Sequence, residues 1–443
     1  MRILFVAISN ITVCDTTLLD LGLTLPGFVK RSKAIASLPN LGLLTLAGQT
    51  PPPHETLYRE VASAADFEQL PRDGVDLVAI ASFTALIHQA YALSEKFREK
   101  GVKTVLGGLH ATMEPEEALQ HADAVVAGEG ESVWPQILDD LAAGRLGGLY
   151  DARSQEFDLR EAPAPAFSLL EQGRYNRLTV QVSRGCPLKC EFCASSILLT
   201  RKYKYKPIHK VLAELDALCA LFGRPFIEFV DDNAFRDKAY WRELMPALKA
   251  RRLRWFAETD ASVAQDGDFL RQMRDSGCYQ VLIGLESPDE AARDRLELTS
   301  NWKRRPGADD ITAIAAIQGA GVRVIGCFIV GLDGHRPDIF GEIEAFSEAS
   351  GLFDVQVTLP TAFPGTPFAQ RLEAEGRLLA PRDWRTRTLF DVNFTPRGMS
   401  VAALTSGFRD LVGSLYSEPA SRRRSRAFHR MAQAGAAREA AKR

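Results

Sequence analysis

The most constraining feature of the chain is Cys186-Pro-Leu-Lys-Cys190-Glu-Phe-Cys193, three thiols at C-x3-C-x2-C spacing on one tight loop. The run before it, Leu178-Thr-Val-Gln-Val182, is β-branched and polar, which predicts a strand that delivers the loop at its end. Three thiolates so placed can converge on one metal centre. A four-iron cluster takes four cysteines, so three leave one iron open, like the open position that separates catalytic from structural metal sites. A small molecule is expected there. A zinc ribbon shares the Cys-x2-Cys step but needs a second Cys or His pair, and none of Cys14, Cys219, Cys278 or Cys327 has a near partner.

With 443 residues, 46% hydrophobic and 25% charged, the chain can build two or three cores. A formal net charge of -2 argues against a globally basic nucleic-acid binder. The opening MRILFVAIS runs into Asn10, Thr12 and Asp15, so neither a signal peptide nor a membrane span is expected. Seven cysteines, three of them in a metal-type group, fit a reducing compartment, the cytoplasm by default.

Residues 1–145 alternate apolar runs with amphipathic stretches. Ile3–Ile8, Val75–Ile80, Thr104–Leu106 and Ala124–Ala127 are nearly continuous in apolar character, as strands covered on both faces are. Such βαβ alternation predicts an open, doubly wound parallel sheet, which binds ligands outside the carboxyl ends of its strands. Those ends carry Ser9 and Asn10, Ser82 and Thr84, Gly107, Gly108 and His110, and Gly128, Glu129 and Gly130. Glycines there let the backbone approach a ligand, and hydroxyls supply hydrogen bonds. Residues 146–175, with Gly147-Gly148 and Ala162-Pro-Ala-Pro165, read as a semi-rigid linker.

The cysteine triplet resembles the signature of radical S-adenosylmethionine (SAM) enzymes over roughly residues 175–370, which implies a 4Fe-4S cluster on Cys186, Cys190 and Cys193, with SAM on the open iron. GGLHAT, ADAVVAGEGE and LPNLGLLTL resemble the cobalamin-binding domain that precedes many such modules. That implies cobalamin at Ser9, Asn10, Ser82, Thr84, Gly107, Gly108, His110, Gly128, Glu129 and Gly130. One departure matters: no Asp-x-His-x-x-Gly is present, so the cofactor's own base is expected to be displaced with no protein histidine on cobalt, His110 being the tempting exception.

From residue 176 to 370 the alternation resumes, with strands expected at 179–184, Phe226–Val230, Trp255–Thr259, Gln280–Leu285, Val322–Val330 and Val355–Leu359. Six units are similar to the family's partial (β/α)6 barrel, whose chemistry sits at the carboxyl ends of the strands. By that resemblance, Asp231 and Asp232 would hold the SAM ammonium, Glu286 its ribose, and the backbone at Gly326 and Gly331 its adenine. Residues 371–443 resemble the C-terminal region of cobalamin-type members, including hopanoid and bacteriochlorophyll methylases; they are expected to cap the barrel and to end in a frayed basic helix or tail. The basic run Arg201–Lys206 is expected to be a solvated face, with no nucleic acid bound.

The fold class expected is therefore α/β: an N-terminal doubly wound, Rossmann-like cobalamin domain, a partial radical SAM barrel, and a small C-terminal domain. Activity implied by the resemblance is cobalamin-dependent methylation of an unactivated carbon in a small-molecule or lipid-like substrate, with an external electron donor such as flavodoxin or ferredoxin. Alternatives are a non-methylating radical rearrangement or ring contraction on the same scaffold, and a corrinoid or iron-sulfur sensor without turnover.

Overall fold

The computed structural model describes residues 1–8, 13–20, 38–71, 73–195, 203–304 and 307–441. Its first sheet contains β1 (Arg2–Ile8), β2 (Glu55–Val61), β3 (Leu77–Ser82), β4 (Lys103–Gly107), β5 (Ala124–Gly128) and β6 (Gly148–Ala152), all parallel in the order β2-β1-β3-β4-β5-β6. The order reverses between β1 and β3, the switch point where such sheets take ligands. Leu4, Val6 and Ile8 of β1 pack on one face of the sheet, and Ile3, Phe5 and Ala7 on the other, which explains the unbroken apolar run.

Two strands lie outside the runs expected from the sequence because both are edges. Glu-Thr-Leu-Tyr-Arg-Glu-Val of β2 is too polar to look buried, as an outer strand can be. Strand β6 begins at Gly148, inside the span read as a linker, and pairs with β5 from Ala124 to Gly128. The first sheet thus runs past residue 145.

A second parallel sheet uses β7 (Leu178–Val180), then, after the antiparallel pair β8 (Ser183–Arg184) and β9 (Lys204–Tyr205), β10 (Phe226–Phe229), β11 (Arg254–Thr259), β12 (Cys278–Glu286), β13 (Arg323–Ile329) and β14 (Asp354–Thr358). Its order, β14-β13-β12-β11-β10-β7, follows the chain, with helices such as Ile208–Phe222 and Lys238–Arg251 between strands. The expected strand 179–184 is split into β7 and β8, because the chain turns away from β10 to start the cysteine loop. Trp255 and Ala257 pack in the core with the helices. Phe256 and Glu258, which alternate with them, therefore face the barrel interior.

Beyond the barrel the chain crosses back to the first domain, where Trp384 Nε1 donates to Glu117 at 2.9 Å. Of the frayed basic helix or tail expected at the end, the structure has the helix Glu418–Ala440, seated against the barrel by buried Phe428, whose ring lies 5.4 Å from that of Phe353, and by Arg424, which donates to Asp354 Oδ1 at 3.4 Å. Among the described residues no helix is long and apolar enough to cross a membrane.

Candidate functional site

Cys186, Cys190 and Cys193 lie on a loop held at both ends. Gly185 turns the chain with φ +92° and donates its N–H to Asp232 Oδ2 at 3.0 Å; Asp232 Oδ1 accepts from Ser195 Oγ just past the last cysteine. Asp231, buried, accepts from the N–H and hydroxyl of Ser183. Downstream residues clamp the middle of the loop. Glu191 N donates to Leu296 O at 2.8 Å, Lys189 N donates to Glu297 Oε1 at 3.1 Å, and Arg371 pairs with Glu191 at 2.7 Å. Cys186 and Cys193 lie near enough to Cys190 for their charges to act on it. Burial pushes the Cys190 thiol up to about 12, with Lys303 pulling the other way. A bound cation would be needed to hold it as thiolate, which fits a metal cluster.

Next to this loop opens a cavity of about 480 Å³. Its deep part is an apolar slot between the first sheet and the helices Leu41–Gln49 and Trp134–Ala142, walled by Leu43, Leu46, Ala79, Val105, Val126 and Trp134. Ser82, Phe83, Gly107, Gly108, Gly128 and Gly130 form the rim at the strand ends. The far wall is barrel: Gln181, Arg184, Ser195, Val230 and Asp232. Gly128 is obligatory, since its φ is +99° and an added Cβ would come within 2.7 Å of the Ala152 backbone. Thr112 ties two rim loops together, accepting from Gly128 N at 3.0 Å and donating to Gly108 O at 2.8 Å.

A model of the Radical SAM superfamily matches residues 180–346, a B12 binding domain matches 33–138, and a domain of unknown function matches 366–443. An uncharacterised methyltransferase of Synechocystis sp. is 30% identical over 373 residues, covering 81% of this chain and 67% of its own. The chain belongs to the radical SAM superfamily. Bacteriochlorophyllide d C-12(1)-methyltransferase of Chlorobaculum tepidum is 27% identical, over 81% of this chain and 78% of its own. The solved structure of the radical SAM methyltransferase TsrM from Kitasatospora setae, with cobalamin and a 4Fe-4S cluster bound, shares the fold at TM-score 0.68 and 13% identity, over 94% of this chain and 89% of that one. The protein is thus a cobalamin-dependent radical SAM enzyme with methyltransferase homologues, and its cofactors are a 4Fe-4S cluster, SAM and cobalamin.

Not every residue expected from the cobalamin-domain and radical SAM resemblances reaches this space. Ser82, Gly107, Gly108, Gly128, Glu129 and Gly130 line the cavity, whereas Ser9 and Asn10 lie outside the described residues. Thr84 is buried and does not line it. His110, 0% exposed, points into the opposite core, its ring 4.9 Å from Trp384 and 6.3 Å from Tyr91. Burial pushes its pKa down to about 4, so it is a neutral packing residue. Asp232 lines the cavity, but Asp231 is spent on Ser183. Glu286, in the left-handed region at φ +65°, pairs with Lys303 at 2.7 Å near Cys190. Gly326 differs from its expected role, because β13 pairs with β12 and β14 on either side of it and leaves no free backbone edge. Its missing Cβ makes room for Leu285 and Leu352, which would lie 2.8 and 2.7 Å from one. Gly331, at φ +98°, donates its N–H to His335 Nδ1 at 3.2 Å.

Four groups have no counterpart among the residues expected from the sequence. Lys303 brings a cation beside Glu286 and Cys190. Glu258 faces the open barrel interior, where desolvation and the charges of Glu228 and Asp232 push its carboxyl up. Arg184 and Lys204 bind the acidic pair of the Glu129-Gly-Glu131 loop. The position of Arg184, two residues before Cys186, was the available signal. Of the basic run, Arg201 and Lys202 lie outside the described residues, and Lys206 is buried against Glu214 at 2.6 Å.

Proposed function

We propose that the enzyme transfers a methyl group to an unactivated carbon of a small-molecule or lipid-like substrate. The observation that carries this reading is a cavity whose walls come from the strand ends of the B12-binding domain on one side and from Arg184, Ser195 and Asp232, beside the cysteine loop, on the other. When bound, cluster and SAM supply a 5'-deoxyadenosyl radical and cobalamin carries the methyl group. The chain holds the two on opposite sides of one substrate, the arrangement proximity requires.

Individual roles follow from placement. Cys186, Cys190 and Cys193 hold the cluster. Lys303 presents an ammonium to the SAM carboxylate, while Glu286 accepts from its hydroxyls or ammonium. Gly107, Gly108, Gly128 and Gly130 bring backbone to the corrin edge, and the slot under Leu46, Val126 and Trp134 takes the displaced nucleotide base. Reduction is supplied by an external donor such as flavodoxin or ferredoxin. The bacteriochlorophyllide methyltransferase of Chlorobaculum tepidum supports a polycyclic substrate.

The test is anaerobic incubation of reconstituted, reduced protein with SAM labelled in its methyl group. We expect 5'-deoxyadenosine, and label on cobalamin that moves to substrate. No 5'-deoxyadenosine would favour a sensor, and cleavage without methyl movement would favour a radical rearrangement.

A further inference from the structure

We propose that Arg184 is a positioning residue that sets the gap between the corrin at the first sheet and the cluster at the cysteine loop. Its guanidinium reaches across the domain boundary: Nη1 donates to Glu129 Oε1 at 2.6 Å and Nη2 to Glu131 Oε1 at 2.7 Å, while Gln181 Oε1 steadies it from its own side at 3.0 Å. Lys204 completes the group, donating to both oxygens of Glu129 at 2.8 and 2.7 Å and to Phe157 O at 2.6 Å. Two cations and two anions sum to zero. The side chains of Glu129 and Glu131 are only 9% and 8% exposed, so the desolvation penalty is offset only because the geometry is multidentate.

Location makes this tie consequential. Gly128, Glu129, Gly130 and Glu131 line the corrin cavity, and Arg184 stands one residue before Gly185, where the cysteine loop begins. One side chain therefore spans from the rim of one cofactor to the backbone carrying the other. Other ties between the first domain and the rest of the chain, among them Trp384 to Glu117, Tyr175 to Glu60 and Arg409 to Asp15, do not touch the cysteine loop. A fork is needed to grip two carboxylates at once, which the point charge of lysine cannot do. Radical transfer tolerates little misplacement, since about an ångström of error can cost two orders of magnitude in rate.

This inference rests on the reading that both cofactors bind, and the experiment separates the two. Arg184→Met, Arg184→Lys and Glu131→Gln are prepared as holoenzyme beside the wild type. Iron and cobalt contents report loading; pulsed electron paramagnetic resonance between cob(II)alamin and the reduced cluster reports their distance. The expected result is loading at wild-type level with a longer, broader distance distribution in Arg184→Met and Glu131→Gln, and an intermediate one in Arg184→Lys. An unchanged distribution in all three overturns the assignment, as does loss of cobalt from Glu131→Gln, which would make that residue a direct cofactor contact. If Arg184→Met fails to fold, Glu131→Gln, outside the cysteine loop, decides by the same criterion. A wild type that takes up no cobalt overturns the cofactor reading itself, and the assignment with it.

Discussion

Single residues divide into those whose chemistry is local and those whose neighbours come from afar. Cys186, Cys190 and Cys193 are local: Ala at any one of them should abolish the four-iron absorption and SAM cleavage, while Cys219→Ala and Cys278→Ala leave iron content unchanged, which iron analysis checks. Such a triplet can be read from spacing alone. Glu129 and Arg184 are 55 residues apart, and nothing in either stretch announces the other. His110 is the converse case, a residue whose type suggests a ligand but whose ring is walled in by Tyr91 and Trp384. Electron paramagnetic resonance of the cob(II)alamin form should therefore show no protein-nitrogen splitting that disappears in His110→Ala. Asp231 supplies a pH signature. Burial, the largest influence, holds its pKa up at about 7 from the usual 3.8 despite the Ser183 hydrogen bonds. The folded state keeps this proton after the unfolded chain has released it, so the contribution of Asp231 to stability is fully present below about pH 4 and is lost as pH rises through 7. In urea unfolding of apoprotein, the change in free energy between pH 5 and 7.5 should differ by about 1–3 kcal/mol between wild type and Asp231→Asn, since each tenfold difference in proton affinity between folded and unfolded chain is worth about 1.4 kcal/mol. Asp231→Asn keeps an acceptor for Ser183, and an identical change in both proteins would remove Asp231 as the source.

Elements were legible where they are buried and obscure where they are not. The central strands β1, β3, β4 and β5, and the barrel strands from β10 onward, announce themselves as apolar runs because both faces are covered. Strands β2 and β6 do not, since an edge tolerates Glu, Arg and Asp, and a Gly-Gly start looks like a turn. The slot between the first sheet and the helix Leu41–Gln49 was equally hidden, because it is a space between elements rather than a motif in one. Its role is open to a direct trial. Leu46→Trp fills the slot from the helix side, and titration of the apoprotein followed by absorbance should show cobalamin affinity falling by at least about tenfold, roughly 1.4 kcal/mol, with iron loading intact. Unchanged affinity would move the nucleotide base elsewhere.

At the scale of the whole molecule, the segment around Trp384 closes a ring from the barrel back to the first domain. Trp384→Ala should remove about 3–5 kcal/mol of packing, and hydrogen exchange should accelerate across 380–394 and 110–118 while the cysteine loop keeps its protection. That loop carries a consequence for the order of events in synthesis. Its ligands are contiguous, but the groups that clamp it, Leu296, Glu297 and Arg371, are translated more than 100 residues later. While the chain is still being made, the three thiols emerge as an unbraced loop open to oxygen, and only the completed barrel gives iron a shaped seat. A shaped seat for iron therefore exists only once Leu296, Glu297 and Arg371 have been made and the barrel has closed around the loop.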